Sequence, residues 1–286
     1  MTGRLGHRTG DRPARGGPYP GAVPEPTPET LAEPSAVAAD GPRYRTQPVS
    51  FVRRSGRLGT RQQRAWDAHR ERYVVDVPRD VARTSVDPAY VLDVAATFGR
   101  EARLVVEIGS GQGDAVVAAA EREPGTDFLA VEVYTPGLAQ TVLRASQRDL
   151  TNLRLVQANA AEVLATTLPA GGVDELWVFF PDPWHKSRHH KRRLVTASFA
   201  ALVERVLRAP GAGDDGVRPG GTLRLATDWA QYAEQMLDVL DAAPGLRNVH
   251  GTGGVAPRFD GRVLTGFERK GEAAGRVITD LEYVRV

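Results

Sequence analysis

From residue 103 onward, short apolar runs of β type alternate with segments of helical periodicity. That alternation admits few solutions other than a parallel sheet covered by helices on both faces. Leu104-Val105-Val106-Glu107-Ile108 is continuous in the manner of a strand buried on both sides, and it ends in Gly109-Ser110-Gly111-Gln112-Gly113 before a helical stretch over 116–121. The pattern repeats with strands expected over 128–132, 153–157, 176–180 and 222–226. Helices are expected through Leu138, Val142 and Leu143, over 194–207 and over 232–240. Two late β-like segments, 246–250 and 277–285, bring the sheet to seven strands. The expected class is α/β, a mostly parallel seven-stranded sheet with helices on both faces, with no internal repeat.

Upstream the texture changes. Nine of the 20 Pro and seven Gly fall in the first 50 residues, where apolar periodicity is nearly absent. Such a segment cannot bury enough surface to offset its ordering entropy. Residues 1–45 are therefore expected as a disordered tail and 46–286 as the folded domain. The first twenty residues carry four Arg against one Asp, which suits either a solvated tail or a weak phosphate-attracting arm. Residues 50–58 are basic and compact, and 60–72 reads as a helix around Trp66. The stretch 210–219, rich in Gly, Asp and Pro, is expected as a flexible loop.

Zero Cys excludes a disulfide framework, a Cys-ligated metal centre and a thiol nucleophile. No apolar segment has signal-peptide form or membrane-span length, so a cytoplasmic chain is expected. The six His, at 7, 69, 185, 189, 190 and 250, have no metal-ligand spacing, and no metal is expected. With 37 Lys+Arg against 35 Asp+Glu, bulk charge does not announce a nucleic-acid partner. Distribution matters more than the sum.

Three features carry chemistry. The glycines at 109, 111 and 113 stand at a strand-to-helix turn, where missing side chains let a ligand approach the backbone. Their spacing is neither that of a dinucleotide fingerprint nor that of a P-loop. Glu132 lies 21 residues beyond Gly111 at the end of the second strand, where an acidic side chain accepts bonds from ribose hydroxyls. That placement suits NAD or S-adenosylmethionine alike. Glu107 leans toward the second, because an anion repels a pyrophosphate but tolerates a sulfonium ligand carrying its own ammonium. Asn159, after the third strand, is positioned either to hold an adenine edge or to cap a helix.

The third feature is Phe179-Phe180-Pro181-Asp182-Pro183-Trp184-His185-Lys186, which continues through Arg188, His189, His190, Lys191, Arg192 and Arg193. It follows the fourth strand, at the sheet edge where ligands bind in open α/β folds. Two prolines stiffen the backbone around Asp182, Trp184 offers a face for base stacking, and five of the eight residues 186–193 are cations suited to phosphates. The string superficially resembles the Asp-Pro-Pro-Tyr motif of methyltransferases acting on exocyclic amines. Here, however, Asp182 separates the prolines, which suggests a target with no amine proton to accept.

Five ordered motifs together resemble the bacterial tRNA (guanine-N7-)-methyltransferases over about residues 50–286. They are residues 50–58, the loop 107–113, the run 180–193, Ala226-Thr227-Asp228-Trp229, and Thr265-Gly266-Phe267-Glu268-Arg269-Lys270-Gly271. The resemblance implies a Rossmann-like class I methyltransferase fold, with S-adenosylmethionine held by Glu107, Gly109, Gly111, Gly113, Glu132, Asn159 and Asp182. It further implies that Asp182 is catalytic and that Lys186, Asp228, Thr265, Gly266, Phe267 and Glu268 contact substrate. Arg188, His189, His190, Lys191, Arg192 and Arg193 would lie on the RNA. The implied reaction methylates N7 of the variable-loop guanine (position 46), with tRNA as the partner, no membrane, no obligatory protein partner, and a monomer or homodimer.

The chemistry agrees. Guanine N7 has a lone pair and no proton, so alignment and electrostatics suffice and no general base is needed. Two other readings start from the same residues: a noncatalytic RNA-binding subunit with this fold, and an NAD-dependent oxidoreductase. The intact glycine loop with Asp182 opposes the first, and the lack of a hydride-transfer constellation opposes the second.

Overall fold

The computed structural model describes residues 56–213 and 216–286. The expected tail 1–45 and residues 50–55 of the basic stretch lie outside them.

Helix α1 (Thr60–Tyr73) begins where Gln62 Oε1 reaches back to accept from Gly59 N at 3.0 Å, and ends on the fully buried Tyr73. Strand β1 (Val74–Val75) follows directly. The sheet then builds through β2 (Arg103–Ile108), α3 (Asp114–Arg122), β3 (Thr126–Val131), α4 (Thr135–Gln147) and β4 (Leu153–Val156), with the short α2 (Val94–Phe98) before β2. After the single turn α5 (Ala160–Glu162) come β5 (Glu175–Phe179), a 3₁₀ segment Ser187–Arg192 and α6 (Ala197–Val206). A hairpin of β6 (Gly211–Gly213) and β7 (Gly216–Arg218) leads to β8 (Thr222–Thr227), α7 (Ala230–Asp241), β9 (Leu246–Asn248), α8 (Gly266–Ala273) and β10 (Thr279–Arg285).

The main sheet has eight strands in the order β1-β4-β3-β2-β5-β8-β10-β9, one more than the seven expected. The additional strand is β1, whose two valines pair in parallel with Leu155 and Val156. A two-residue strand leaves no alternation to read, and Pro78 soon removes a ladder donor. Only β10 runs antiparallel to its neighbours β8 and β9. The stretch 210–219, expected as a loop, instead forms the β6–β7 ladder, with Pro210 and Pro219 just outside it and Arg218 paired to Asp174 at 3.1 Å.

Side chains alternate across the sheet. Leu104, Val106 and Ile108 of β2 join one core with Leu129, Val131, Leu176, Val178, Leu223 and Leu225. Val105 faces the other with Phe128, Ala130, Leu155, Trp177 and Ala226. Both faces are covered, which is why β3 and β5 are buried along their whole length and are apolar over 128–131 and 176–179.

Strands β3 and β4 lie to one side of β2, and β5 and β8 to the other. The order therefore reverses between β2 and β5, and this is where open α/β sheets hold ligands, at the carboxyl ends. One close approach fixes the backbone there. A Cβ on Gly137, in the first turn of α4, would stand 2.3 Å from Gly111 O. Gly→Ala in a helix ordinarily gains about 1 kcal/mol. At Gly137 the steric conflict is with backbone and reverses the sign, so Gly137→Ala is expected to destabilise by about 1–3 kcal/mol. A raised denaturation midpoint would show that the two loops part freely.

Candidate active site

The glycine loop joins β2 to α3, and Gly109, Gly111 and Gly113 hold φ of 72°, 56° and 73°, left-handed values that side chains resist. It is tied to the next strand through Gly109 N, which donates to Val131 O at 2.8 Å. Glu132 completes the tie. Its Oε2 accepts from Gly111 N at 2.9 Å, and its Oε1 accepts from Val133 N at 2.6 Å and Tyr134 N at 2.9 Å. Burial pushes the Glu132 carboxyl above its ordinary range, and the three N–H donors partly oppose this.

Glu107 sits beneath the loop, 5% exposed, and its Oε2 finds no hydrogen-bond partner among the described residues. The buried Ser110 Oγ is likewise unpartnered there. Burial, followed by the repulsion of Asp114 and Glu132, raises the Glu107 pKa to about 8, against the pull of the Val116 backbone. A buried acceptor without an internal cation suits a ligand that brings an ammonium.

Asn159 is 7% exposed and does cap a helix, its Oδ1 accepting from Ala161 N at 3.0 Å. The cap leaves its Nδ2 donors for another group. Its backbone N donates to Thr84 O at 2.7 Å. Segment 79–86, in which sequence reading found no motif, is thus drawn against the carboxyl ends of β3 and β4, where Arg79 also donates to Gln157 O at 2.6 Å.

After β5 the chain turns sharply. Phe180 and Trp184 have φ of 52° and 46°, bracketing Pro181-Asp182-Pro183. Such positions cost on the order of 1–3 kcal/mol each and persist only where the surroundings impose them. Asp182 is accessible at the surface, yet set low enough among the loops that loss of water raises its pKa. Beyond it Lys186, Arg188, Lys191 and Arg192 are exposed, while His189 and His190 are half-buried. Arg192 lies over the Trp184 ring at 4.9 Å, and His185 meets Trp229 with ring centroids 4.1 Å apart.

Asp228 follows β8, the strand in register with β5, so it emerges beside the Pro-Asp-Pro turn. Its Oδ2 accepts from Arg276 Nε at 2.8 Å. Thr265 Oγ1 accepts from Glu268 N at 3.2 Å and starts α8, so Gly266, Phe267 and Glu268 are helical. Because β10 runs back along β8, α8 is delivered to the same carboxyl edge.

Two residues expected on the substrate point inward instead. Arg193 is 4% exposed, with Nε donating to Pro183 O at 2.8 Å and Nη1 to Gln235 Oε1 at 2.7 Å. Glu268 is 1% exposed and ion-paired with Arg258 and Arg262, both at 2.9 Å. Arg193 is hydrogen-bonded internally and Glu268 is ion-paired internally, so neither presents its charge to solvent. Arg262, itself fully buried, also pairs with Asp280 at 2.8 Å and lies over the rings of Phe179 and Phe180. No sequence signal distinguished it from the other 33 arginines.

The Glu107 carboxyl gives a signed expectation. With a folded pKa of about 8 and an ordinary value of 4.5, the folded state retains a proton that the unfolded state releases across this window. Stability attributable to this group is present at low pH and lost as pH rises from 4.5 to 8, at about 1.4 kcal/mol per unit. Glu107→Gln is neutral and nearly isosteric, so in urea titrations without ligand it should match the wild type near pH 5 and exceed it near pH 8. A difference between the two proteins that does not change with pH would refute this assignment of the proton.

A family described as "Putative methyltransferase" matches residues 101–281. The tRNA (guanine-N(7)-)-methyltransferase of Arthrobacter sp. (strain FB24) is 49% identical over 290 residues, covering 85% of this chain and 88% of its own. The protein of that name from Paenarthrobacter aurescens (strain TC1) is 47% identical, covering 84% of this chain and 92% of its own. That from Cutibacterium acnes (strain DSM 16379 / KPA171202) is 47% identical, covering 86% of each. With matches of this depth running through the loops that form the carboxyl edge, the chain belongs to the tRNA (guanine-N(7)-)-methyltransferase family.

Proposed function

We propose that this protein transfers a methyl group from S-adenosylmethionine to N7 of a guanine in tRNA, at the variable-loop position 46, acting in the cytoplasm without an obligatory protein partner. The observation that carries the reading is the juxtaposition at the sheet's reversal point. There a buried carboxyl with one oxygen unpartnered, Glu107, lies under the glycine loop, and the next strand over ends in a strained turn displaying Asp182 beside exposed cations. No helix among the described residues is long and apolar enough to cross a membrane.

S-adenosylmethionine, when bound, supplies an electrophilic methyl carbon on a sulfonium. Glu107 and the glycine loop suit its ammonium and carboxylate end. Glu132 has lone pairs left for ribose hydroxyls, and the Nδ2 donors of Asn159 suit the adenine edge. Guanine N7 attacks with its own lone pair, a bond to the methyl carbon forms as the bond to sulfur breaks, and no proton moves. The ring becomes cationic. Asp182 and Asp228, in the loops that follow adjacent strands, either stabilise that charge or accept from guanine N1–H and the N2 amine, a pattern adenine does not present. Lys186, Arg188, Lys191 and Arg192 supply phosphate contacts, and Trp184 stands among them for a displaced base.

The reading is tested with labelled methyl transfer to unmodified tRNA transcripts and mapping by borohydride and aniline cleavage. Cleavage at the variable-loop guanine, lost when that base is adenine, is the expected result; methyl incorporation elsewhere would reassign the acceptor. Asp182→Asn should keep the fold and lower turnover by roughly 100-fold or more. The rate of the wild type should fall as pH drops through the raised pKa of Asp182, because only the ionised form offers an anion. An unchanged rate in Asp182→Asn would remove Asp182 from the mechanism.

A further inference from the structure

Of the five cations in the run 186–193, only Arg193 is withdrawn from solvent, and its guanidinium is held by internal groups. Each of its three nitrogens meets an internal partner. Nε meets Pro183 O at 2.8 Å, Nη1 meets Gln235 Oε1 at 2.7 Å, and Nη2 meets His190 Nε2 at 3.0 Å. An arginine cannot accept, so the His190 Nε2 must, and that ring keeps its proton on Nδ1. The guanidinium face covers Tyr232 at 4.8 Å. Its second-sphere partners are equally fixed. Gln235 Nε2 donates to Val195 O at 3.0 Å, and the Tyr232 hydroxyl accepts from Val195 N at 3.0 Å.

These contacts reach the residues around the reaction centre from three sides. Pro183 is the residue after Asp182, inside the turn whose ends, Phe180 and Trp184, hold left-handed φ. His190 belongs to the 3₁₀ segment that displays the exposed cations. Gln235 and Tyr232 belong to α7, which begins two residues after Asp228. One buried, planar donor therefore registers the Asp182 turn against the helix that follows Asp228 and against the basic surface. A lysine could not do this, because a compact ammonium has neither the fork nor the face.

We propose that Arg193 is a positioning residue for methyl transfer, fixing the Pro183 carbonyl and with it the direction of the Asp182 carboxylate, and that it makes no phosphate contact. The proposal rests on the reading of Asp182 and tRNA given above.

The test compares wild type, Arg193→Lys, Gln235→Met and Arg192→Ala in steady-state methyl transfer to a tRNA transcript and in tRNA binding across a salt series, with thermal melts of each. Arg193→Lys should lower kcat roughly 10- to 100-fold, as a small misplacement of a reacting group does. Gln235→Met should lower it less. In both, the KM for tRNA and the slope of log affinity against log salt should stay at wild-type values. Arg192→Ala should instead raise KM and make that slope shallower by about one.

Wild-type kcat in Arg193→Lys overturns the proposal. So does a salt slope made shallower in the manner of Arg192→Ala, or a kcat loss no larger than the loss of folded protein in the melts. Should Arg193→Lys fail to fold, Gln235→Met decides: unchanged kcat there overturns the proposal, and reduced kcat with unchanged salt slope supports it. A wild-type protein that transfers no methyl to tRNA defeats the functional reading itself, and this inference with it.

Discussion

The ligand edge of this protein depends on one carboxylate that gathers three backbone N–H groups. Glu132 accepts from Gly111, Val133 and Tyr134 and so joins the loop after β2 to the chain entering α4. The join is possible only because Gly137 lets α4 approach Gly111 O within a distance that no Cβ would allow. Charge-assisted bonds of this kind contribute about 1.5–3 kcal/mol each. Even so, burial dominates and the carboxyl is less acidic than in water. Glu132 is therefore a poor choice for stability alone. What it secures is the shape of the glycine loop, from which the positions of Glu107 and the ribose-facing edge follow.

Buried ionisable groups in this molecule come in two kinds, separated by how each is compensated. Arg262 is surrounded by Glu268, Asp280 and two aromatic rings, and Arg193 by a carbonyl, an amide, an imidazole and a phenol ring. Each Arg193 nitrogen has an internal partner, and the Arg262 charge is met by two carboxylates, although its Nε finds no hydrogen-bond partner among the described residues. Glu107 is open, with one oxygen unpartnered and no internal cation to lower its pKa. An unpaired buried acceptor costs about 1–3 kcal/mol. A fold retains that cost where a ligand removes it. The same distinction places Glu268 with the scaffold: its charge is already consumed by Arg258 and Arg262.

Much of this was legible in the sequence because it is local. Strand runs over 104–108 and 222–226, the glycine loop, and the Pro-Asp-Pro turn announce themselves within a few neighbouring residues, and the parallel order follows from their alternation. What was not legible is set by partners far along the chain. Arg193 looks like the last cation of a basic run until Gln235, 42 residues away, accepts from it. Glu268 looks like an exposed acid in a polar loop until Arg258 and Arg262 enclose it. Strand β1 is too short for periodicity, and the β6–β7 hairpin is written in glycines, which favour no element. Asn159 is both of the things its position allowed, a helix cap through Oδ1 and a remaining donor through Nδ2.

The turn that carries Asp182 shows why strain and aromatic side chains occur together here. Phe180 and Trp184 both hold left-handed backbone that glycine would adopt freely. Glycine at either place would relieve strain but remove a ring. Phe180 lies beneath Arg262 at 5.2 Å, and Trp184 beneath Arg192 at 4.9 Å. Cation–π contacts contribute about 0.5–2 kcal/mol, more where water is excluded, which is comparable to the backbone strain at each position. The exchange is nearly neutral in free energy, and its gain is in rigidity. A turn pinned by a ring at each end, two prolines within, and a buried guanidinium on its carbonyl leaves Asp182 few directions to point. For a reaction with no proton to abstract, a fixed direction is most of what the protein can supply.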